Sequence, residues 1–222
     1  MVLHEPNRMK SHGEKMLWHA MIQAGAGTMV RQSMDARGSS IFAHFISSPF
    51  GEIAVLWHIH EKKPKVLRVV LSNAKRSAAE RVRASFPAAS NDSCREINEV
   101  SEKIESFLSG DDVEFSLDSV RMDLCSDFQK KVLFAEHAIL RGYVSTYGRL
   151  AARAGSPNGA RAAGRCLANN PFPLIIPCHR TIRSDGTLGG YQGGAAMKRA
   201  LLKMEGVLVS EDGAVAEGRF YY

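Results

Sequence analysis

A cysteine followed at once by a histidine and an arginine, Cys178-His179-Arg180, ends the apolar run Asn169-Asn170-Pro171-Phe172-Pro173-Leu174-Ile175-Ile176-Pro177. A thiol must lose its proton before it attacks carbon, and with a reference pKa of about 8.5 it needs a base or a positive field beside it. His179 can serve as that base, directly or through a water. Glu205 is a natural third member, because a carboxylate bonded to the far ring nitrogen fixes the tautomer and stabilises the imidazolium. The prolines hold the backbone extended and remove amide donors, so the segment cannot continue a helix and instead delivers Cys178 to a fixed place. An isolated Cys-His pair is more often structural, since a buried cysteine packs as a small hydrophobe.

The preceding elements must position this pair. Residues 1 to about 38 lack sustained periodicity and end in the polar run Arg37-Gly38-Ser39-Ser40, which predicts a flexible leader. From Ile41, the strand-like runs IFAHFI, EIAVLWHIH and KVLRVVLS are separated by SSPFG and EKKP, predicting an antiparallel meander. Helical segments follow over Ala74 to Phe86 and Glu96 to Ser109, the latter with apolar residues at Ile97, Val100, Ile104, Phe107 and Leu108. A linker over Val113 to Leu124 leads to Asp127 as an N-cap and a helix from Phe128 to about Leu140, opening a second half expected to be all helical. There, Thr146 to Ala154 reads as a short helix, Gly155-Ser156-Pro157 as a turn and Gly159 to Asn169 as an Ala-rich helix. Together they form a helix-turn-helix pattern with Arg161 and Arg165 on one face.

A chain of 222 residues with 45% hydrophobic content can bury a substantial core. Its net charge of +6 and pI near 9.3 favour polyanionic partners. Cys94, Cys125, Cys166 and Cys178 form no CxxC pair and no metal-ligand spacing, which argues against a structural zinc site and for free thiols in a reducing compartment. The most apolar early stretch, Met16 to Val30, carries His19 and Gln23 and breaks at Gly25 and Gly27, so neither a membrane span nor a cleavable signal is expected.

Beyond Cys178 come Gly189-Gly190-Tyr191-Gln192-Gly193-Gly194 and Leu201-Leu202-Lys203-Met204-Glu205-Gly206. Together with Ile-Pro-Cys-His-Arg these resemble the O6-alkylguanine-DNA alkyltransferases, from roughly Ile41 to Gly206 and most densely from Phe128. The resemblance implies an α+β chain with four parts: a leader over 1–38, a small ribonuclease-H-like α/β domain over 39–118, a helical DNA-binding domain over 119–210 with a helix-turn-helix, and a tail over 211–222. It implies single-turnover repair, in which the alkyl group of O6-alkylguanine in flipped-out DNA moves irreversibly to Cys178; acceptance of O4-alkylthymine stays open.

Residue by residue, the resemblance makes Cys178 the acceptor and His179 with Glu205 the relay that activates it through a water. Asn170 becomes the bracing hinge, Arg161 the finger that enters the stack, and Tyr147 the tyrosine that drives rotation and donates to the base. Tyr191, Gln192, Lys198 and Arg180 are its further substrate- or DNA-binding residues. Extrusion of a nucleotide costs a few kcal/mol, and Arg161 would replace part of the lost stacking. The partner implied is double-stranded DNA entered through the minor groove, where base readout is poor and suits a lesion scanner. Basic residues including Arg149, Arg153, Arg183 and Lys203 fit phosphate contacts. Neither cofactor nor metal is implied, and the expectation is a monomer, cytoplasmic or nuclear.

Two departures from the family stand out: Gln192 replaces a commonly small residue, and the tryptophan common near Leu133 is missing. Competing readings are a lesion sensor without transfer, against which the retained cysteine speaks, a transcription regulator using only the helix pair, and a Cys-His hydrolase with turnover.

Overall fold

A computed structural model of the chain describes residues 40–211, 213–215 and 220–222. The expected leader over 1–38 and the stretch 16–30 lie outside the described residues. The meander forms as β1 (Phe42–Ile46), β2 (Ile53–His60) and β3 (Lys63–Leu71), each antiparallel to the next. Glu61 and Lys62 make the β2–β3 turn, both at positive φ (49° and 66°), the geometry whose twist matches a tight hairpin. A short β4 (Ser90–Asn91), not anticipated in the sequence, adds parallel to β1, giving the order β3-β2-β1-β4.

The strands alternate, so two helices cover the two faces. Helix α1 (Ala78–Ser85) packs Ala78 and Val82 against Ala43, Ala54, Leu56 and Val70. It starts four residues later than expected because Ser77 and Glu80 form a reciprocal capping box. Helix α2 (Arg95–Leu108) lays Ile97, Ile104 and Phe107 on the opposite face, against Val55, Trp57 and Val69.

The second half contains α3 (Asp127–His137), α4 (Tyr147–Arg153), α5 (Ala160–Ala168) and α6 (Gly194–Met204). Three expectations need correction. Ser126, not Asp127, caps α3, its hydroxyl accepting from the Gln129 amide; Asp127 is the first helical residue, where its charge suits the helix N-terminus. The same helix closes at His137, about three residues early. The half is not wholly helical either, because β5 (Ser145–Thr146) and β6 (Thr181–Ile182) pair in parallel and hold the start of α4 beside the residues that follow Cys178.

One buried cluster runs through both halves, from Val55 and Phe107 to Leu150, Ile176 and Cys178. The outer edge of β3, which would otherwise present unpaired backbone groups, is covered by the rest of the chain. Val66 O accepts from Arg121 N (2.9 Å), Val69 N donates to Pro171 O (2.7 Å), and Leu71 N donates to the Gln192 side chain (2.8 Å). The sheet thus buttresses the segments on both sides of Cys178. Arg141 adds a second tie, donating to Gly110 O just past α2 and to Met204 O at the end of α6, where a cation complements the helix dipoles. Among the described residues no helix is long and apolar enough to cross a membrane.

Candidate active site

The proline-clamped run arrives at Cys178 through a sequence of backbone bonds. Asn170 is buried; its Oδ1 accepts from Phe172 N (2.9 Å) and its Nδ2 donates to Ile176 O (3.2 Å), closing the loop upon itself. Leu174 sits within that loop at φ 74°, a conformation costly for a branched residue and stabilised here by complete burial. Pro177, at φ −77° and ψ 57°, is the centre of a three-residue turn in which Cys178 N donates to Ile176 O (2.8 Å). Residues Cys178–Arg180 then make one 3-10 turn that presents thiol, imidazole and guanidinium in succession.

Cys178 and His179 are buried, as is Glu205, which lies just past the last turn of α6. His179 Nε2 bonds Glu205 Oε1 at 2.9 Å. Arg180 grips the same carboxylate through Nε to Oε2 (2.9 Å) and Nη2 to Oε1 (2.8 Å), and its Nη1 donates to Ile139 O (2.6 Å). Burial alone would raise the Glu205 carboxyl, but His179 and Arg180 more than offset it and hold it at about 2. Burial lowers His179, against the pull of Glu205, so the ring is neutral. An ionised Glu205 requires the proton on Nε2, which leaves Nδ1 as the basic lone pair. Nδ1 has no protein partner among the described residues. Burial pushes the Cys178 thiol up to about 12, while a hydrogen bond from Asn170 and the charge of Lys198 pull it down. The resting site is therefore a protonated thiol beside a neutral, oriented base.

The other anticipated residues are placed differently from one another. Tyr147 and Tyr191 reach the pocket: Tyr191 makes an edge contact with the His179 ring (6.2 Å between centroids), and its buried hydroxyl lacks a partner among the described residues. The Tyr147 ring lies over Gly164 and Gly189, and a Cβ on Gly189 would stand 3.0 Å from its hydroxyl. Lys198 is not an exposed helix charge but fully buried, donating to Thr181 O (2.5 Å) and Gly190 O (3.5 Å). Gln192 turns away from the pocket toward Leu71 N, with Arg81 Nη1 3.3 Å from its Oε1. Arg180 is directed inward to Glu205. Arg161 is exposed on α5, apart from this cluster. Arg149 stacks on Phe220 (4.5 Å to the ring centroid) and donates to Tyr222 O, while Arg153 lies over the Tyr222 ring.

Sequence reasoning missed Glu136 and Thr181. Glu136 is fully buried and accepts from the Thr181 hydroxyl. Its signal was present: Gln129, Val132, Leu133 and Glu136 share one face of α3, so a carboxylate stood in a core-facing stripe.

Residues 127–207 match the family model described as 6-O-methylguanine DNA methyltransferase, DNA binding domain. Over these residues the chain is similar to the O6-alkylguanine-DNA alkyltransferases. The methylated-DNA--protein-cysteine methyltransferase of Methanothermobacter thermautotrophicus is 48% identical over 111 residues, covering 50% of this chain and 62% of that relative, so the chain spans about half to just under two thirds of the length of the curated relatives it matches. The crystal structure of the Mycobacterium tuberculosis O6-methylguanine methyltransferase aligns with a TM-score of 0.60 at 28% identity, covering 74% of this chain and 92% of that one. A structure of the same M. tuberculosis protein in complex with DNA aligns at 0.59, again at 28% identity and with the same coverage. The mixed α and β architecture read from the sequence agrees with these alkyltransferase structures.

Proposed function

We propose that this protein repairs DNA by moving the alkyl group from O6 of an alkylated guanine onto its own Cys178, once per molecule. The observation that carries the reading is the buried Cys178 thiol beside His179, whose Nε2 is tied to Glu205 while Nδ1 is left to accept. His179 takes the thiol proton through a water as the thiolate attacks the alkyl carbon. The new S–C bond forms as the C–O6 bond breaks, the base leaves with its electron pair and is then protonated, and the thioether is permanent. No cofactor or metal enters this balance. O4-alkylthymine offers the same alkyl–oxygen bond and is the second substrate to assay.

Chemistry at O6 requires the nucleotide outside the stack. Helices α4 and α5 act as a helix-turn-helix in the minor groove, with exposed Arg161 filling the gap and Tyr147 turning the nucleotide inward. Tyr191 and the backbone near Lys198 line the base pocket, and Asn170 holds the Cys178 loop. Arg180 serves by fixing Glu205, and Gln192 by anchoring its loop on β3. We assign residues 39–118 to a ribonuclease-H-like supporting domain, 119–210 to the DNA-binding and acceptor domain, and expect a monomer.

Intact-mass spectrometry after incubation with duplex DNA containing O6-methylguanine tests the reading. Wild type should gain the mass of one methylene and Cys178→Ala none. DNA binding with no mass gain would replace transfer by lesion sensing.

A further inference from the structure

Glu136 has no part in the transfer scheme, yet it stands in the same buried pocket. Its Oε2 accepts from Thr181 Oγ1, and its Oε1, fully buried, has no partner among the described residues. The carbonyl of Thr181 in turn accepts from Lys198 Nζ at 2.5 Å. A single residue of β6, three positions after Cys178, thus links a carboxyl on α3 to an ammonium on α6. The fields of both reach the Cys178 thiol with opposite sign.

We propose that Glu136 is a positioning residue for the acceptor: working through Thr181, it holds the Lys198 ammonium in place and charged beside Cys178. A lone ammonium in this pocket would shed its proton, because burial disfavours the charged form. Burial lowers Lys198 to about 8, and Cys178 and Glu136, when ionised, resist that fall. Glu136 experiences the converse: burial raises it to about 8, against Thr181, Lys198 and Arg180. The groups facing Glu136 are Thr181 from β6, Cys178 and Arg180 from the 3-10 turn, Lys198 from α6, Tyr147 from α4 and Tyr222 from the C-terminal segment. Carboxyl and ammonium therefore titrate as a coupled pair, and removing the first makes the second easier to neutralise. A neutral Lys198 no longer favours the thiolate.

The inference rests on the alkyl-transfer reading, but one of its two readouts does not. The first is an NMR titration of wild type, Glu136→Gln and Thr181→Val labelled at the lysine ε-carbon, with Lys198 assigned by its absence in Lys198→Met. The Lys198 midpoint should fall by about one pH unit in Glu136→Gln, and by less in Thr181→Val, which keeps both titrating groups and loses only the link. The second is the single-turnover transfer rate from O6-methylguanine duplex across pH. The alkaline decline should move to lower pH in Glu136→Gln by the same interval, with rates at the acid end within about twofold of wild type. An unchanged Lys198 midpoint overturns the pairing. A shifted midpoint with parallel rate profiles overturns the role in transfer. Absence of transfer in wild type at every pH would defeat the alkyl-transfer reading instead, while the titration would still judge the pair.

Discussion

Glu205→Gln removes one charge from a carboxylate that accepts three hydrogen bonds, one from His179 and two from Arg180. A carboxamide offers one acceptor oxygen and one NH2 group, so whichever way it turns it sets donors against His179 or Arg180. The stability at stake follows from the carboxyl itself, held at about 2 against its ordinary 4.5. That gap corresponds to about 3 kcal/mol at neutral pH, the lower end of the roughly 3–5 kcal/mol lost when one partner of a buried ion pair is removed. Because the folded-state value is depressed, the stabilisation is complete above 4.5 and fades as pH falls toward 2. Glu205→Gln should therefore unfold more easily in urea at pH 7 by about 3 kcal/mol, and the gap to wild type should close on acidification through that window.

The effect on chemistry is separable from the effect on stability. In the proposed relay the carboxylate holds the His179 proton on Nε2 and stabilises the imidazolium formed as the thiol gives up its proton, and Glu205→Gln would remove both effects. General-base assistance of this kind contributes about 10²–10⁴-fold, so single-turnover methyl transfer, followed by intact mass at a temperature where the variant is folded, should slow by that factor. Affinity for the same duplex should hold, since Glu205 is buried away from exposed Arg161. Transfer within threefold of wild type in a folded, DNA-binding variant would refute the relay.

Gln192→Ala should lose about 1–3 kcal/mol of stability by leaving the Leu71 amide without its acceptor, and hydrogen exchange should quicken at Leu71 before other β3 amides. Gly189→Ala meets both a φ of 69° and the Tyr147 hydroxyl at 3.0 Å. A loss of about 1–2 kcal/mol, together with slower transfer as Tyr147 is displaced, should appear in urea titration and single-turnover assays. Arg161→Ala, at an exposed position, should change stability by less than about 0.5 kcal/mol while weakening binding to lesion-bearing duplex in a fluorescence titration; unchanged affinity would remove the finger role.

The elements that rest on local patterns were legible: the three strands between turn residues, the α2 stripe and the break of helix at the proline run. Cap positions were less so, because Ser126 and Asp127 are both good N-caps and only the backbone path toward Gln129 chooses between them. The site was legible where chemistry is concentrated in sequence, at Cys178-His179 and at Glu205. What escaped depends on three-dimensional partners. The inward turn of Arg180 needs Glu205 and Ile139 O beside it, and the turn of Gln192 toward β3 needs the uncovered Leu71 amide. Lys198 carried no mark distinguishing a buried ammonium from a solvated one, since its burial depends on carbonyls of Thr181 and Gly190 that lie on other segments.

A thiol pushed up to about 12 by burial is almost wholly protonated at neutral pH, which is a poor state for a free nucleophile and a suitable one for the single-use acceptor proposed above. Thiolate character and access govern oxidation and adventitious alkylation, so in the proposed transfer burial shields Cys178 until a substrate occupies the pocket, and the proton would move to His179 only within the assembled site. The burden on His179 and Glu205 is correspondingly larger than for a pre-ionised cysteine. This ordering is measurable without DNA. Treated with iodoacetamide at neutral pH and mapped by peptide mass, the half-buried Cys94 and Cys166 should label before Cys178, and added alkylated duplex should consume Cys178 while leaving those two free. Labelling of Cys178 first would mean that its thiolate is already formed in the resting protein, and the argument from burial to substrate-coupled deprotonation would fail.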